Sequence, residues 1–355
     1  MQYLIMKSGV PIFDVARAYG LAALLSLSDK NGVDSPVINE TGYGFVIEFQ
    51  QGQPDQNYLV CNPAWQSLFS ASPRNSYYDQ AWEGLFITYK RQDRTKKILE
   101  VKFHIEQRFQ LICTESNKPG LSVKFSGETL PGGLEPSAFK GSKSTTRAQY
   151  TESQTDVDKD NWALGCLGGA ISGRYIWQNR NIFVIYPIPG KIHFFNWREI
   201  REKTFGESLN YLGVKNAVAH YSVILAETLR QMSANLSNFA DSFSGLLYFS
   251  LFKTGNQWKP SSAGSTNLQS LIDLIKNNPS ESAKIFEVWK YLFRRGSVKG
   301  SEDLMDAITD LVIDPSLESL ENHAKVFLRY IAKKGVKTMH LYTEESLKEV
   351  LKNVY

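Results

Sequence analysis

Ser8-Gly9-Val10-Pro11-Ile12-Phe13-Asp14, continuing through Ala18-Tyr19-Gly20-Leu21-Ala22-Ala23-Leu24-Leu25, lays down the first structural unit of the chain. Before it, Tyr3 to Met6 is a short strand, and the Gly-Pro turn fixes where the chain goes next. A helix of small and apolar residues comes after the turn, interrupted by Gly20. A glycine inside a helix costs about 1 kcal/mol relative to alanine, so its presence predicts close packing against neighbouring backbone. No reactive group is placed by this stretch.

Further along, Phe45 to Val60 is strand-like, and Gly84 to Cys113 alternates as a hairpin. Its turn falls at Arg91 to Thr95, with Leu99, Val101, Phe103 and Ile105 on one face. Asn62 to Glu83 is rich in aromatics (Trp65, Phe69, Tyr77, Tyr78, Trp82). Lys118 to Val157 loses apolar periodicity and becomes a long Gly/Pro/Ser/Thr/Lys loop. Asn181 to Tyr186 and Lys191 to Phe195 form a second expected hairpin about Pro187, Pro189 and Gly190. Leu209 to Met232 and Leu236 to Phe252 have helix-length apolar patterns, and Thr254 to Thr266 is a Gly/Pro/Ser linker.

The tail is a series of helices with readable ends. The first ends before Pro279, Ser280 caps the second, Ser301 the third, Pro315 and Ser316 open a longer one, and Thr343 caps the last. The expected fold class is therefore α+β: a mixed N-terminal domain over 1–254 with antiparallel hairpins and a long basic loop, then a C-terminal helical bundle over 267–355.

With 355 residues, 42% of them apolar and 21% charged, the chain can bury a substantial core. The formal charge of +4 is too mild to identify a nucleic-acid binder by itself. Cys61, Cys113 and Cys166 are sparse and odd in number, which fits a reducing compartment better than a disulfide framework. No signal-peptide pattern opens the chain, and its longest apolar runs are too short for a bilayer. A soluble, cytoplasmic protein is the expectation.

The chemistry-bearing motifs fail on spacing. None of the five histidines has a partner at metal-binding or nucleophile-base spacing. Asp156-Val157-Asp158-Lys159-Asp160 begins like a calcium loop, but the required Gly and Glu positions hold Asn161 and Leu167. Gly165-Cys166-Leu167-Gly168-Gly169 lacks the Lys-Ser/Thr pair of a phosphate loop, so its glycines permit close backbone approach or a turn. The sequence thus nominates no catalytic residue, metal ligand or cofactor. A carboxylate set assembled only by the fold, as in a metal-dependent nuclease or hydrolase, stays open, as does a protein-interaction scaffold docking through the Trp65 to Trp82 belt.

Cationic side chains among small polar residues and aromatics remain. Lys90, Arg91, Arg94, Lys96 and Lys97 fall at the expected hairpin tip, and Lys140, Lys143 and Arg147 on the loop, where they suit phosphate neutralisation. Arg174, Asn179 and Arg180 flank Tyr175 and Trp177, a mixture able to stack on bases and bond their edges. Lys333, Lys334 and Lys337 sit at a helix C-terminus, which favours cations whatever the function.

Residues 1 to 25, with a small-residue glycine-proline turn before an apolar helix, resemble the N-terminus of the large subunits of type I CRISPR interference (Cascade) complexes. The layout of the whole chain is similar. The resemblance implies a non-catalytic subunit whose partners are guide RNA, target double-stranded DNA, the other Cascade subunits and a recruited helicase-nuclease or transposition factor. It further implies recognition of the motif beside the target and stabilisation of unwound DNA, with Lys140, Lys143, Arg147, Arg174, Asn179 and Arg180 toward DNA. Lys90, Arg91, Arg94, Lys96 and Lys97 would then track phosphates.

Overall fold

The computed structural model describes residues 1–32, 35–50, 52–69, 77–135, 155–205, 213–232, 241–255, 257–297, 301–334 and 342–354. The chain is mixed α+β and divides into two compact units. One comprises Met1–Glu199 with Leu247–Gly264, the other Ile200–Leu246 with Ser265–Tyr355.

The first unit opens with β1 (Gln2–Met6), α1 (Pro11–Ser28), β2 (Val37–Glu40) and β3 (Gly44–Glu48). Short helices α2 (Gln56–Cys61), α3 (Pro63–Leu68) and α4 (Tyr77–Leu85) lead to the long α5 (Arg91–Asn117). After β4 (Glu128–Thr129) and β5 (Asp156–Val157) come α6 (Lys159–Ser172), β6 (Arg174–Gln178), β7 (Asn181–Pro189) and β8 (Lys191–His193). Helix α7 (Phe194–Phe205) continues into the second unit. There α8 (Val214–Met232) precedes β9 (Phe243–Thr254) and β10 (Gln257–Asn267), whose residues 247–264 belong to the first unit. The series ends with α9 (Gln269–Asn277), α10 (Pro279–Gly296), α11 (Glu302–Ile313), α12 (Leu317–Lys334) and α13 (Glu344–Val354). The main sheets have strand orders β1-β3-β2-β8 and β10-β9-β7-β6.

The opening motif folds as its residues dictate. Gly9 has φ +91°, and the Asp14 carboxylate reaches back to accept from Ser8 N (2.9 Å), Ser8 Oγ (2.6 Å) and Gly9 N (3.3 Å). Pro11 occupies the first turn of α1, where its missing N–H costs nothing. Helix α1 is buried almost all round, matching its lack of a polar face.

It lies directly on α6. A Cβ on Gly20 would stand 2.2 Å from the Leu164 carbonyl oxygen, and one on Gly168 would stand 1.6 Å from that of Ala16. The two helices therefore touch backbone to backbone, the close approach expected of Gly20 and of the glycines in 165–169. Gly168→Ala has no flexible neighbour to displace, so the helices must separate. The expected cost is at least about 1–3 kcal/mol, measurable as a lower denaturation midpoint at unchanged slope.

Four sequence expectations are corrected. Residues 91–117 form helix α5, not a hairpin: Val101, Ile105, Phe109 and Ile112 are its buried stripe, whereas Leu99 and Phe103 are exposed. Over a few residues, alternation and helical spacing share positions, and only the longer run separates them. The hairpin expected about Pro187 to Gly190 instead joins β6 to β7, and β8 pairs with β2. The helix expected to run to Phe252 is strand β9 from Phe243 onward. The expected linker 254–266 is largely strand β10, an outer strand where Pro260 forfeits no ladder bond that an inner strand would need.

Three rings of the aromatic belt, Trp65, Phe69 and Trp82, are interior. Trp65 and Trp82 are buried, their indole N–H groups donating to Glu106 Oε1 (2.8 Å) and the Leu68 carbonyl (2.7 Å), and Phe69 packs between them. Those three rings are therefore core rather than surface. All three cysteines are free; Cys113 and Cys166 are buried, and burial pushes the Cys113 thiol up to about 12. Among the described residues no helix is long and apolar enough to cross a membrane.

The second unit is mostly helical. Asn278, ahead of the expected Ser280, caps α10 by accepting from Glu281 N, and Thr343 Oγ1 caps α13 by accepting from Ser346 N (3.1 Å). Its interior encloses two histidines. The His220 ring stacks on Phe293 at 4.8 Å, and the Tyr342 hydroxyl sits between Trp289 Nε1 (2.8 Å) and His323 Nε2 (2.7 Å).

Candidate nucleic-acid interface

The β6–β7 hairpin turns through Asn179 and Arg180 after the pair Gln178↔Asn181. Asn179 takes φ +54°, a left-handed conformation that asparagine tolerates and hairpin turns use. The β9–β10 connection uses Gly255 at φ +58°. Lys253 N donates to the Arg180 carbonyl at 2.8 Å, so the two tips lie side by side at one end of the sheet.

Burial changes sharply toward that end. Strand β7 is nearly all buried, and β9 is largely buried through Leu251, but Phe252, Lys253 and Thr254 are exposed. Trp177 is 38% exposed and meets the half-buried Trp258 edge to face, with ring centroids 5.9 Å apart. They stand on the two outer strands, so the indoles reach toward each other across β7 and β9. The Lys253 ammonium lies 5.9 Å from the Trp258 ring centroid, a cation–π distance. Arg180 and Lys259 are exposed in the same hairpins, Lys259 on the face opposite Trp258 because successive strand residues alternate.

Charge is one-sided here. Strands β6, β7, β9 and β10 contain no Asp or Glu, while Arg174, Arg180, Lys253 and Lys259 supply cations. A charge run normally mixes signs to stay hydrated. This sheet presents only positive side chains next to aromatic faces, the combination that holds a phosphate backbone and stacks its bases.

Of the residues nominated from sequence, Asn179 and Arg180 occupy the exposed tip. Arg174 does not join them: it is 8% exposed, opposite Ile185 in the ladder. Lys140, Lys143 and Arg147 lie outside the described residues. The other group is not a hairpin tip but the start of α5. Lys90, Arg91 and Lys96 are exposed there, whereas Arg94 pairs with Glu83 (2.8 Å) and Lys97 with Glu100 (2.9 Å) and Glu128 (3.2 Å). Lys97 also lies 5.1 Å over the Trp162 ring. These carboxylates offset cations placed at the positive end of a helix, which the dipole disfavours. Lys253, Trp258 and Lys259 were missed because 254–266 had the composition of a linker. The signal available was the absence of acids around a Trp-Lys pair.

A second charged region, a cleft of about 610 Å³ at the start of α6, gathers His104, Arg108, Glu115, Lys124, Asp158, Lys159 and Asp160. Its two aspartates are already engaged. Asp158 accepts from Asn161 N, Lys124 N and Asn161 Nδ2. Asp160 takes His104 Nε2 at 2.6 Å and Arg108 through both oxygens (3.2 and 3.0 Å). Burial raises the Asp160 pKa, but the hydrogen bonds from His104 and Arg108 outweigh it and hold the carboxyl down to about 2. Such a carboxylate is a poor proton acceptor at neutral pH. Among the described residues no three His, Cys, Asp or Glu side chains are grouped to hold a metal.

The chain is similar to an uncharacterized protein of Archaeoglobus fulgidus. The two are 28% identical over 362 aligned positions, spanning 99% of this chain and 97% of the archaeal one. No protein-family model matches the chain.

Proposed function

We propose that the protein is a non-catalytic, cytoplasmic nucleic-acid-binding subunit that grips its ligand through the tips of the β6–β7 and β9–β10 hairpins. One observation carries the reading: a four-stranded sheet without a single carboxylate ends in exposed Arg180, Lys253 and Lys259, with Lys253 against one of two tryptophans that meet there. The resemblance of residues 1 to 25 to Cascade large subunits supports a more specific setting. There the subunit would recognise the motif beside the target in double-stranded DNA and steady the unwound strands. Guide RNA would read sequence by pairing, within a complex of other Cascade subunits that recruits a helicase-nuclease or transposition factor.

Three cations at the site predict a shallow but linear salt dependence, with a slope of log K against log[salt] of about −2 for a single strand. Filter binding over a salt series measures it. Arg180→Ala, Lys253→Ala and Lys259→Ala together are expected to flatten that slope and weaken binding about tenfold or more. Each position is exposed, so folding should change by less than about 0.5 kcal/mol per site. Unchanged affinity in the triple variant would remove the sheet end from the reading. For the Cascade setting, the native protein is expected to co-purify with a short guide RNA; purification in a complex free of RNA would overturn that assignment.

A further inference from the structure

We infer that the Trp177–Trp258 pair is a receptor for an unpaired base, so that the sheet end selects single-stranded over double-stranded nucleic acid. The inference rests on the nucleic-acid reading of the same surface and specifies its ligand. Cations alone would grip any phosphate backbone, and they grip a duplex, with its denser charge, at least as well. The indoles change the preference. Trp177 keeps more than a third of its surface exposed while its neighbours Tyr175 and Ile176 are buried, so part of the residue remains accessible to a ligand.

In the edge-to-face arrangement the rings, 76° apart, do not cover one another as a parallel stack would. A base can therefore lie against an indole face. In a duplex the base faces are already stacked on each other, and reaching one requires unstacking at a cost of a few kcal/mol. A single strand offers its faces freely, and each base stacked on an aromatic ring contributes about 1–3 kcal/mol, or roughly 5- to 150-fold in affinity.

The cations are placed to hold the backbone on either side of such a base. Lys259, the residue after Trp258 in β10, projects from the opposite face of the sheet, whereas Arg180 and Lys253 are tied together through the 2.8 Å hydrogen bond between their strands and Lys253 faces Trp258. Phosphates at Arg180 and Lys253 would flank a base directed at the indoles. The charge complementarity favours this occupant over an apolar or acidic protein segment. An acidic peptide would satisfy the cations but leave the rings without a stacking partner.

The test compares three fluorescein-labelled 15-mers by anisotropy on the full chain at fixed salt: oligo-dT, an abasic strand of equal length, and a duplex. The expected order is oligo-dT tightest, with the abasic strand and duplex at least about fivefold weaker. Trp177→Ala should lower affinity for oligo-dT about fivefold or more, leave the abasic strand unchanged, and be largely rescued by Trp177→Phe. Equal binding of oligo-dT and the abasic strand, or of oligo-dT and the duplex, would overturn the base receptor while leaving phosphate binding standing. No binding of any of the three would overturn the nucleic-acid reading itself. The abasic comparison uses the unmodified protein, so a misfolded variant cannot obscure the answer.

Discussion

Replacing Arg17 by Met is expected to lower folding stability by about 3–5 kcal/mol, the range for stranding one member of a buried ion pair. Arg17 has 0% of its surface exposed. Its Nη2 donates to Asp14 Oδ1 (2.6 Å) and the Met6 carbonyl (2.5 Å), and its Nη1 to Asn161 Oδ1 (2.7 Å). The guanidinium therefore ties α1 to β1 and to the first turn of α6 at once. Burial lowers its pKa, and the Asp14 carboxylate works against that shift and keeps the cation in place. Without Arg17, the buried Asp14 carboxyl keeps only the Ser8 and Gly9 donors.

Arg17→Lys should not rescue, because an ammonium on a flexible stem cannot reproduce the fork of bonds. Asp14→Asn keeps an acceptor for the Ser8–Gly9 turn but removes the charge. Combined with Arg17→Met, it should cost clearly less than the sum of the two single changes, a coupling of about 1–3 kcal/mol. Denaturant titrations of the four proteins measure this, and strict additivity would show that the pair is not coupled.

Acid is expected to unfold the second unit well before ordinary carboxylate titration is complete. Burial lowers the His220 pKa to about 3, with the nearby Arg294 and Lys290 charges pushing the same way, and burial lowers His323 to about 4. Both are neutral in the fold. In the unfolded chain they return to about 6.5. Below that pH the unfolded chain binds protons that the folded one refuses, so stability falls as pH drops from about 6.5 toward 4 and then 3. Each unit of displacement is worth about 1.4 kcal/mol, so the two imidazoles together withdraw several kcal/mol across this window.

His323 also carries the Tyr342 hydrogen bond, and Tyr342 holds Trp289, so protonating this ring would disturb the interior of the unit directly. Guanidinium titrations at pH 7, 6 and 5 should show a falling midpoint. His220→Phe, next to the Phe293 ring, should flatten the fall even if it shifts stability at pH 7. A midpoint constant between pH 7 and 5 would contradict the neutral, buried state of both rings.

Local signals were legible wherever structure is made by neighbours in sequence. The Gly9–Pro11 turn, the small-residue helix α1 and the cap at Thr343 depend on groups a few residues apart, and each formed as its residues predict. Residues 91–117 were not legible, because Leu99, Val101, Phe103 and Ile105 alternate as in a strand, and only the pair Val101 and Ile105 also keeps the i, i+4 spacing of the buried helical stripe. Packing of Val101, Ile105 and Phe109 against the core chose the helical one. Strand β10 was hidden for a different reason: its Ser, Gly and Pro residues carry little strand preference, and pairing in a sheet supplied what propensity did not.

The sequence by itself determined the α+β character, the lack of a reactive motif, and the tight backbone approach demanded by Gly20. Tertiary structure alone decided which of the nominated cations meet carboxylates. Arg94 and Lys97 gained carboxylate partners from α4, α5 and β4, whereas Arg180, Lys253 and Lys259 converged on an end of a sheet that has none. The reason is range: a helix or turn is set by bonds between near neighbours, but the neutralisation of a charge and the meeting of Trp177 with Trp258 depend on contacts that exist only after distant strands have paired.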